Sequence, residues 1–151
     1  MNIIKSDLVS AVHDVMWNDI SDLVKGAEPR PVLVLTLPFA QQSMENTQLV
    51  KMLEAAKLQP AQYNIIQIEQ DKVVAWHQLR ERLNPEIIFL IGVVPSQLGI
   101  SSLFKLNAPN HFNDRVWLAT VPLANLAERP DIRKELWEYG LRPLFVDLTF
   151  K

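Results

Sequence analysis

Apolar side chains recur along this chain in three rhythms, and each predicts a different kind of element. Residues 4–24 carry Ile4, Leu8, Val12, Val15, Met16, Ile20 and Leu23 near a 3.6-residue period. That spacing predicts an amphipathic helix, followed by a linker marked by Gly26, Pro29 and Pro31. From Pro31 to Leu37 the apolar residues run on without polar alternation and stop at Pro38. A run of this kind fits a strand covered on both faces, as in a parallel sheet. The helical period returns at Leu49, Met52, Leu53 and Ala56, with Ser43 or Asn46 suited to the N-cap.

Tyr63 to Ile68 predicts a second strand. A helix is then expected from an Asp71 cap through Arg82, with Val73, Trp76, Leu79 and Leu83 facing inward. Asn84-Pro85 breaks the chain before its most hydrophobic strand, Glu86 to Ile91. Gly92 and Pro95 mark a turn into a short helix over Ser96 to Phe104, and Asn107 to Asp114 reads as a polar loop. Arg115 to Thr120 predicts a fourth strand. The Val121-Pro122 turn leads from it into helices on both sides of Pro130, with Gly140 suited to a C′ position. In the tail, Leu144, Val146, Leu148 and Phe150 alternate at period two, which predicts an edge strand or an extended, partner-binding peptide.

This succession predicts one α/β domain, a three-layer α/β/α arrangement around a mainly parallel sheet of about four strands. Its parts are an N-terminal helix and linker (1–28), a core (31–143) and the tail (144–151). A length of 151 residues suits a single core that buries roughly 70% of the surface exposed by the unfolded chain.

Composition narrows the function classes. A net charge of -2 argues against binding nucleic acid through bulk electrostatics, leaving only local basic patches. The absence of cysteine excludes disulfides, thiol nucleophiles and cysteine-ligated metals, and is compatible with a reducing cytosol. The longest apolar run, Ile87 to Val94 with Gly92 counted, is far short of the ~20 residues that span a bilayer. With no signal-peptide pattern at the N-terminus, a cytoplasmic protein without membrane attachment is expected.

Chemistry-bearing residues are few. His13, His77 and His111 share no ligand spacing, so no metal site is expected, and no glycine-rich phosphate loop or nucleophile elbow implies a cofactor or an acyl-transfer site. His111 stands out as the histidine in a loop. Arg129, Arg133 and Lys134 form a weak basic group diluted by Glu128, Asp131 and Glu135.

Several strings resemble the uracil-DNA glycosylase superfamily, especially its short bacterial type. Asn84 to Gly92 followed by Gln97-Leu98-Gly99 is similar to that family's third strand and next helix, and Asn46 to Leu53 to its first core helix. Thr120 to Leu123, with Leu126, Arg129-Pro130 and Arg133 to Trp137, is similar to its final strand, catalytic loop and last helix. The resemblance covers Pro31 to Pro143 and implies a glycosylase-like fold. It also implies lost activity. Where the family carries Gly-Glu-x-Pro-Gly, this chain has Leu35-Thr36-Leu37-Pro38-Phe39; the position of the base-reading Asn falls around Gln67; and the histidine before the last proline is Val121. The family's cluster-binding cysteines are also missing. Valine donates no hydrogen bond, and losing one such donor costs ~10²–10³ in rate.

A second resemblance is to the psi subunit of the bacterial replicative polymerase's clamp-loader assembly, through the Pro-Leu turn and Arg133-Lys134-Glu135-Leu136-Trp137. Together these imply a pseudoenzyme: a non-enzymatic adaptor in bacterial DNA replication or repair, with a protein partner. A vestigial cleft is expected at Thr36, Pro38, Phe39, Gln67, Gly92, Val121 and Pro122. Partner or nucleic-acid contacts are expected at His111, Arg129, Arg133, Lys134, Leu148 and Phe150. The alternative is a divergent DNA glycosylase, or a binder of single-stranded nucleic acid or a small ligand, that uses this cleft, with Phe39 placed to stack on a base.

Overall fold

Five consecutive apolar or β-branched residues leave a strand no face to show to water, and two such runs form the centre of the sheet. In the computed structural model, which describes Val24 and residues 27–147, β1 (Val32–Thr36) and β3 (Ile87–Ile91) are buried at every position. The second strand, β2 (Tyr63–Gln67), alternates between covered and exposed residues, as suits a sheet edge. β5 (Arg115–Thr120) completes the parallel set, and β4 (Pro109–Phe112) runs antiparallel beside it, giving the order β2-β1-β3-β5-β4. The expected N-terminal helix (apart from Val24) and the tail positions Leu148 and Phe150 lie outside the described residues.

The sheet is therefore α/β and mostly parallel, but it has five strands rather than four. The additional strand comes from the segment expected to be a polar loop. Only four residues long, β4 has too few positions to display a period of two. Pro109 takes its first position, where a strand tolerates a missing N–H. Asn113 (φ 56°) and Asp114 (φ 58°) are both left-handed between the paired residues Phe112 and Arg115. That is a two-residue hairpin of the type whose twist matches its strands, and asparagine and aspartate tolerate it well.

Two core layers sandwich the sheet. On one face Leu33, Leu35, Ile88, Leu90 and Trp117 pack with Leu79 and Leu83 of α2 (Trp76–Leu83) and with Val24. The opposite face carries Val34, Phe89, Ile91 and Leu118. It is covered by α1 (Met44–Ala55), α3 (Leu123–Glu128), α4 (Pro130–Leu136) and α5 (Trp137–Val146). Ser43 is the N-cap of α1, its Oγ accepting from the Asn46 N–H at 3.2 Å, so the serine takes the role that either residue suited.

Four expectations yield to longer-range contacts. Asp71 caps no helix, because α2 begins only at Trp76. The preceding carbonyls are bound by the buried Gln97, whose Nε2 donates to Glu69 O (3.1 Å) and Lys72 O (3.2 Å), while Val74 N–H donates to Gln97 O. The helix expected over Ser96 to Phe104 is a single tight turn, Pro95–Leu98, ended by Gly99 at φ 74°. Gly140 lies inside α5 instead of past a helix end, and a Cβ there would meet Leu118 Cδ1 at 2.8 Å. Leu144 to Val146 continue α5 and are not extended. This segment winds with wider, i to i+5 turns, closing with the Asp147 N–H on Arg142 O at 2.8 Å. Pro143 inside it supplies no N–H to an ordinary helical ladder.

Candidate functional site

Parallel register brings the carboxyl ends of the strands level, with Thr36 opposite Gln67 and Ile91, and Ile91 opposite Thr120. The chain leaves β1 toward β2 and leaves β3 toward β5 and β4, so the topological switch point lies between β1 and β3. Open α/β sheets bind ligands in the crevice outside such a point. The residues expected to line the cleft are brought to this end of the sheet. What they do there is mostly structural.

Thr36 is buried, and its Oγ1 donates to Leu37 O at 3.1 Å. Pro38 is exposed. Phe39 and Val121 are half-buried against the same core layer, and the Phe39 N–H donates to Gln67 Oε1 at 3.2 Å. Gly92, at φ 77°, donates its N–H to Thr120 O at 3.0 Å, and a Cβ there would stand 3.0 Å from both Cα and Cγ of Pro122. Pro122 in turn offers its carbonyl to the N–H groups of Asn125 and Leu126 at the start of α3.

Beside this end runs a polar chain that no local sequence pattern marks. Thr120 Oγ1 donates to Asn107 Oδ1 at 2.7 Å, and Asn107 Nδ2 donates to Glu135 Oε2 at 2.7 Å. Thr120 and Asn107 are both buried, and Asn107 sits at φ 62°. The one local clue is the residue type, since asparagine tolerates left-handed backbone better than most.

The expected contact residues are not gathered. His111 lies exposed on β4 opposite Val116, four residues before Thr120 along β5 and thus about 13 Å from the cleft end of the sheet. Arg129 forms a bidentate pair with Asp131 (3.1 and 2.9 Å) at the surface. That hydrogen-bonded pairing raises the arginine's pKa and lowers the aspartate's. Arg133 donates from NH1 to Leu126 O (2.6 Å) and Ala127 O (2.9 Å), satisfying carbonyls at the end of α3, while Lys134 is exposed.

Three cavities are lined by described residues. A groove of about 820 Å³ lies between α1 and the α3–α4 junction, lined by Gln42, Gln48, Lys51 and Arg133 among others. A second, about 470 Å³, includes Val50, Leu58 and Tyr63, and a third, about 370 Å³, surrounds Arg115 at the amino ends of β3 and β5. None of the three is lined by Thr36, Phe39, Gln67, Gly92 or Val121. In the third, Arg115 spends its guanidinium on Pro85 O, Asn113 and Asn84 Oδ1, with its Cζ 5.5 Å from the centre of the Trp76 ring.

Among the described residues, no three His, Asp or Glu side chains converge as metal ligands, and no helix is long and apolar enough to cross a membrane. Neither a protein-family model nor a curated protein matches this chain.

Proposed function

We propose that this chain is a non-enzymatic interaction module on a glycosylase-like scaffold, an adaptor holding other proteins of DNA replication or repair. The observation that carries the reading is the use of polar groups at the switch point. Thr36, Gln67, Thr120 and Asn107 bond to backbone or to each other, and Phe39 and Val121 turn toward the core. A glycosylase needs donors aimed at the oxygen of the departing base, held ready before the reaction. Valine at position 121 offers none, and Gly92 against Pro122 leaves little room between β3 and the final turn.

Two measurements test the reading together. Purified protein incubated with uracil-containing single- and double-stranded DNA is expected to release no uracil; release above background establishes the divergent glycosylase instead. Tagged protein recovered from its native cell is expected to carry a replication or repair protein in stoichiometric amount. Recovery alone, without any such protein, overturns the adaptor.

A further inference from the structure

The groove between α1 and the α3–α4 junction differs in chemistry from the carboxyl end of the sheet. Two cations line it, Lys51 and Arg133, and none of its lining residues is acidic. The chain as a whole carries 17 acidic and 15 basic residues, so the local balance at the groove is of opposite sign to the net charge. Arg133 is half-buried and anchored through NH1 by the Leu126 and Ala127 carbonyls, which fixes its plane at the groove wall. No hydrogen bond or ion pair within the described residues engages the Lys51 ammonium. Arg129, by contrast, is neutralised by Asp131.

The remaining lining narrows the ligand. Gln42 and Gln48 present amides that both donate and accept, as a peptide backbone requires. Met44, 67% exposed, adds an unbranched apolar contact that adapts to different side chains. No aromatic residue lines the groove, so a nucleobase would find no ring to stack on.

We infer that this groove takes an acidic peptide segment of a partner protein, with carboxylates at Lys51 and Arg133 and backbone amides at Gln42 and Gln48. The inference rests on the adaptor reading and names its contact surface.

The test is a fluorescence-anisotropy titration of the full chain with a labelled peptide of about ten residues, rich in Glu and Asp. Controls are the same peptide with Gln and Asn in place of the acids, and an oligothymidylate of similar length. The acidic peptide is expected to bind, more weakly as salt rises, and its neutral counterpart not to bind. Lys51→Glu should weaken binding about tenfold, while Lys105→Glu, on an exposed loop elsewhere, leaves it unchanged. Lys51 is exposed and makes no hydrogen bond or ion pair among the described residues, and a circular dichroism melt checks that the variant folds. Equal binding of acidic and neutral peptides, indifference to Lys51→Glu, or preference for the oligothymidylate each overturns the site. Capture of the same replication or repair protein by wild type and Lys51→Glu alike would overturn the groove and leave the adaptor standing. Acidic-peptide binding that depends on Lys51, with no such protein captured from the cell, would retain the groove and remove the adaptor.

Discussion

At Gly92 two constraints meet that no other residue satisfies. Its φ of 77° is left-handed, and the space a Cβ would take is already occupied by Pro122 at 3.0 Å. Gly92→Ala therefore combines backbone strain with a clash against a rigid ring, and is expected to cost about 2–3 kcal/mol in urea denaturation. Asn107 is a second such residue. Replacing it with alanine strips a partner from both Thr120 and Glu135, and Thr120 is buried. A loss of about 1–3 kcal/mol is expected for Asn107→Ala, with Asn107→Asp also destabilising, because a second carboxylate would face Glu135. The Arg129–Asp131 pair gives the contrasting case. Asp131's folded pKa is lowered, so whatever the pair contributes is present above the unfolded pKa and fades as pH falls through the folded one. Both side chains are more than half exposed, however, and solvent screens them. Asp131→Asn should leave the urea midpoint at neutral pH within error, and a resolvable shift would contradict the screening.

Among the elements, those legible from sequence are the ones whose stabilising contacts are dictated by their own residues. The apolar runs of β1 and β3 and the spacing of Leu49, Met52 and Leu53 each announce a buried face, and the structure places strands and a helix there. The late start of α2 was hidden because Gln97, some 25 residues away, holds the carbonyl of Lys72. Gln97→Ala should consequently cost about 1–3 kcal/mol and speed amide exchange at Val74, whose N–H bonds to the Gln97 carbonyl. α5 is hidden in the sequence for a related reason: Gly140 looks like a helix stop, yet its missing Cβ lets α5 approach Leu118. The two effects of Gly140→Ala oppose each other. Helix propensity favours alanine by up to about 1 kcal/mol, whereas overpacking a fully buried leucine costs about 1–3 kcal/mol. Net destabilisation is expected, and stabilisation would mean that Leu118 has room to turn. The residues expected at the cleft stand at the strand ends, but whether their polar atoms face a ligand or their neighbours depends on tertiary contacts. Gln67 accepting from the Phe39 N–H is the plainest example.

For the whole molecule, strand order sets where stability is concentrated. β1 and β3 have a strand on each side and a core layer on each face, so their amides can exchange only when the sheet opens as a unit. β4 is four residues at an edge, none of them fully buried, and among the described residues it pairs with β5 alone. Native-state hydrogen exchange should therefore show Phe89 and Leu90 near the global unfolding free energy, with the bonded amides of β4 several kcal/mol below it. The aromatic cluster works against that gradient, because Phe112 lies edge-on to Trp117 at 5.8 Å and Trp117 Nε1 donates to Phe112 O at 2.9 Å. Phe112→Ala removes the ring but keeps that carbonyl, so it should loosen β4 selectively while global stability falls less than for Phe89→Ala, which opens a cavity in the core at about 3–5 kcal/mol. If Phe112→Ala instead lowered protection equally in β1 and β4, the antiparallel edge would be part of the same cooperative unit as the parallel core. The hairpin would then be integral to the domain's folding, and not an addition to its margin.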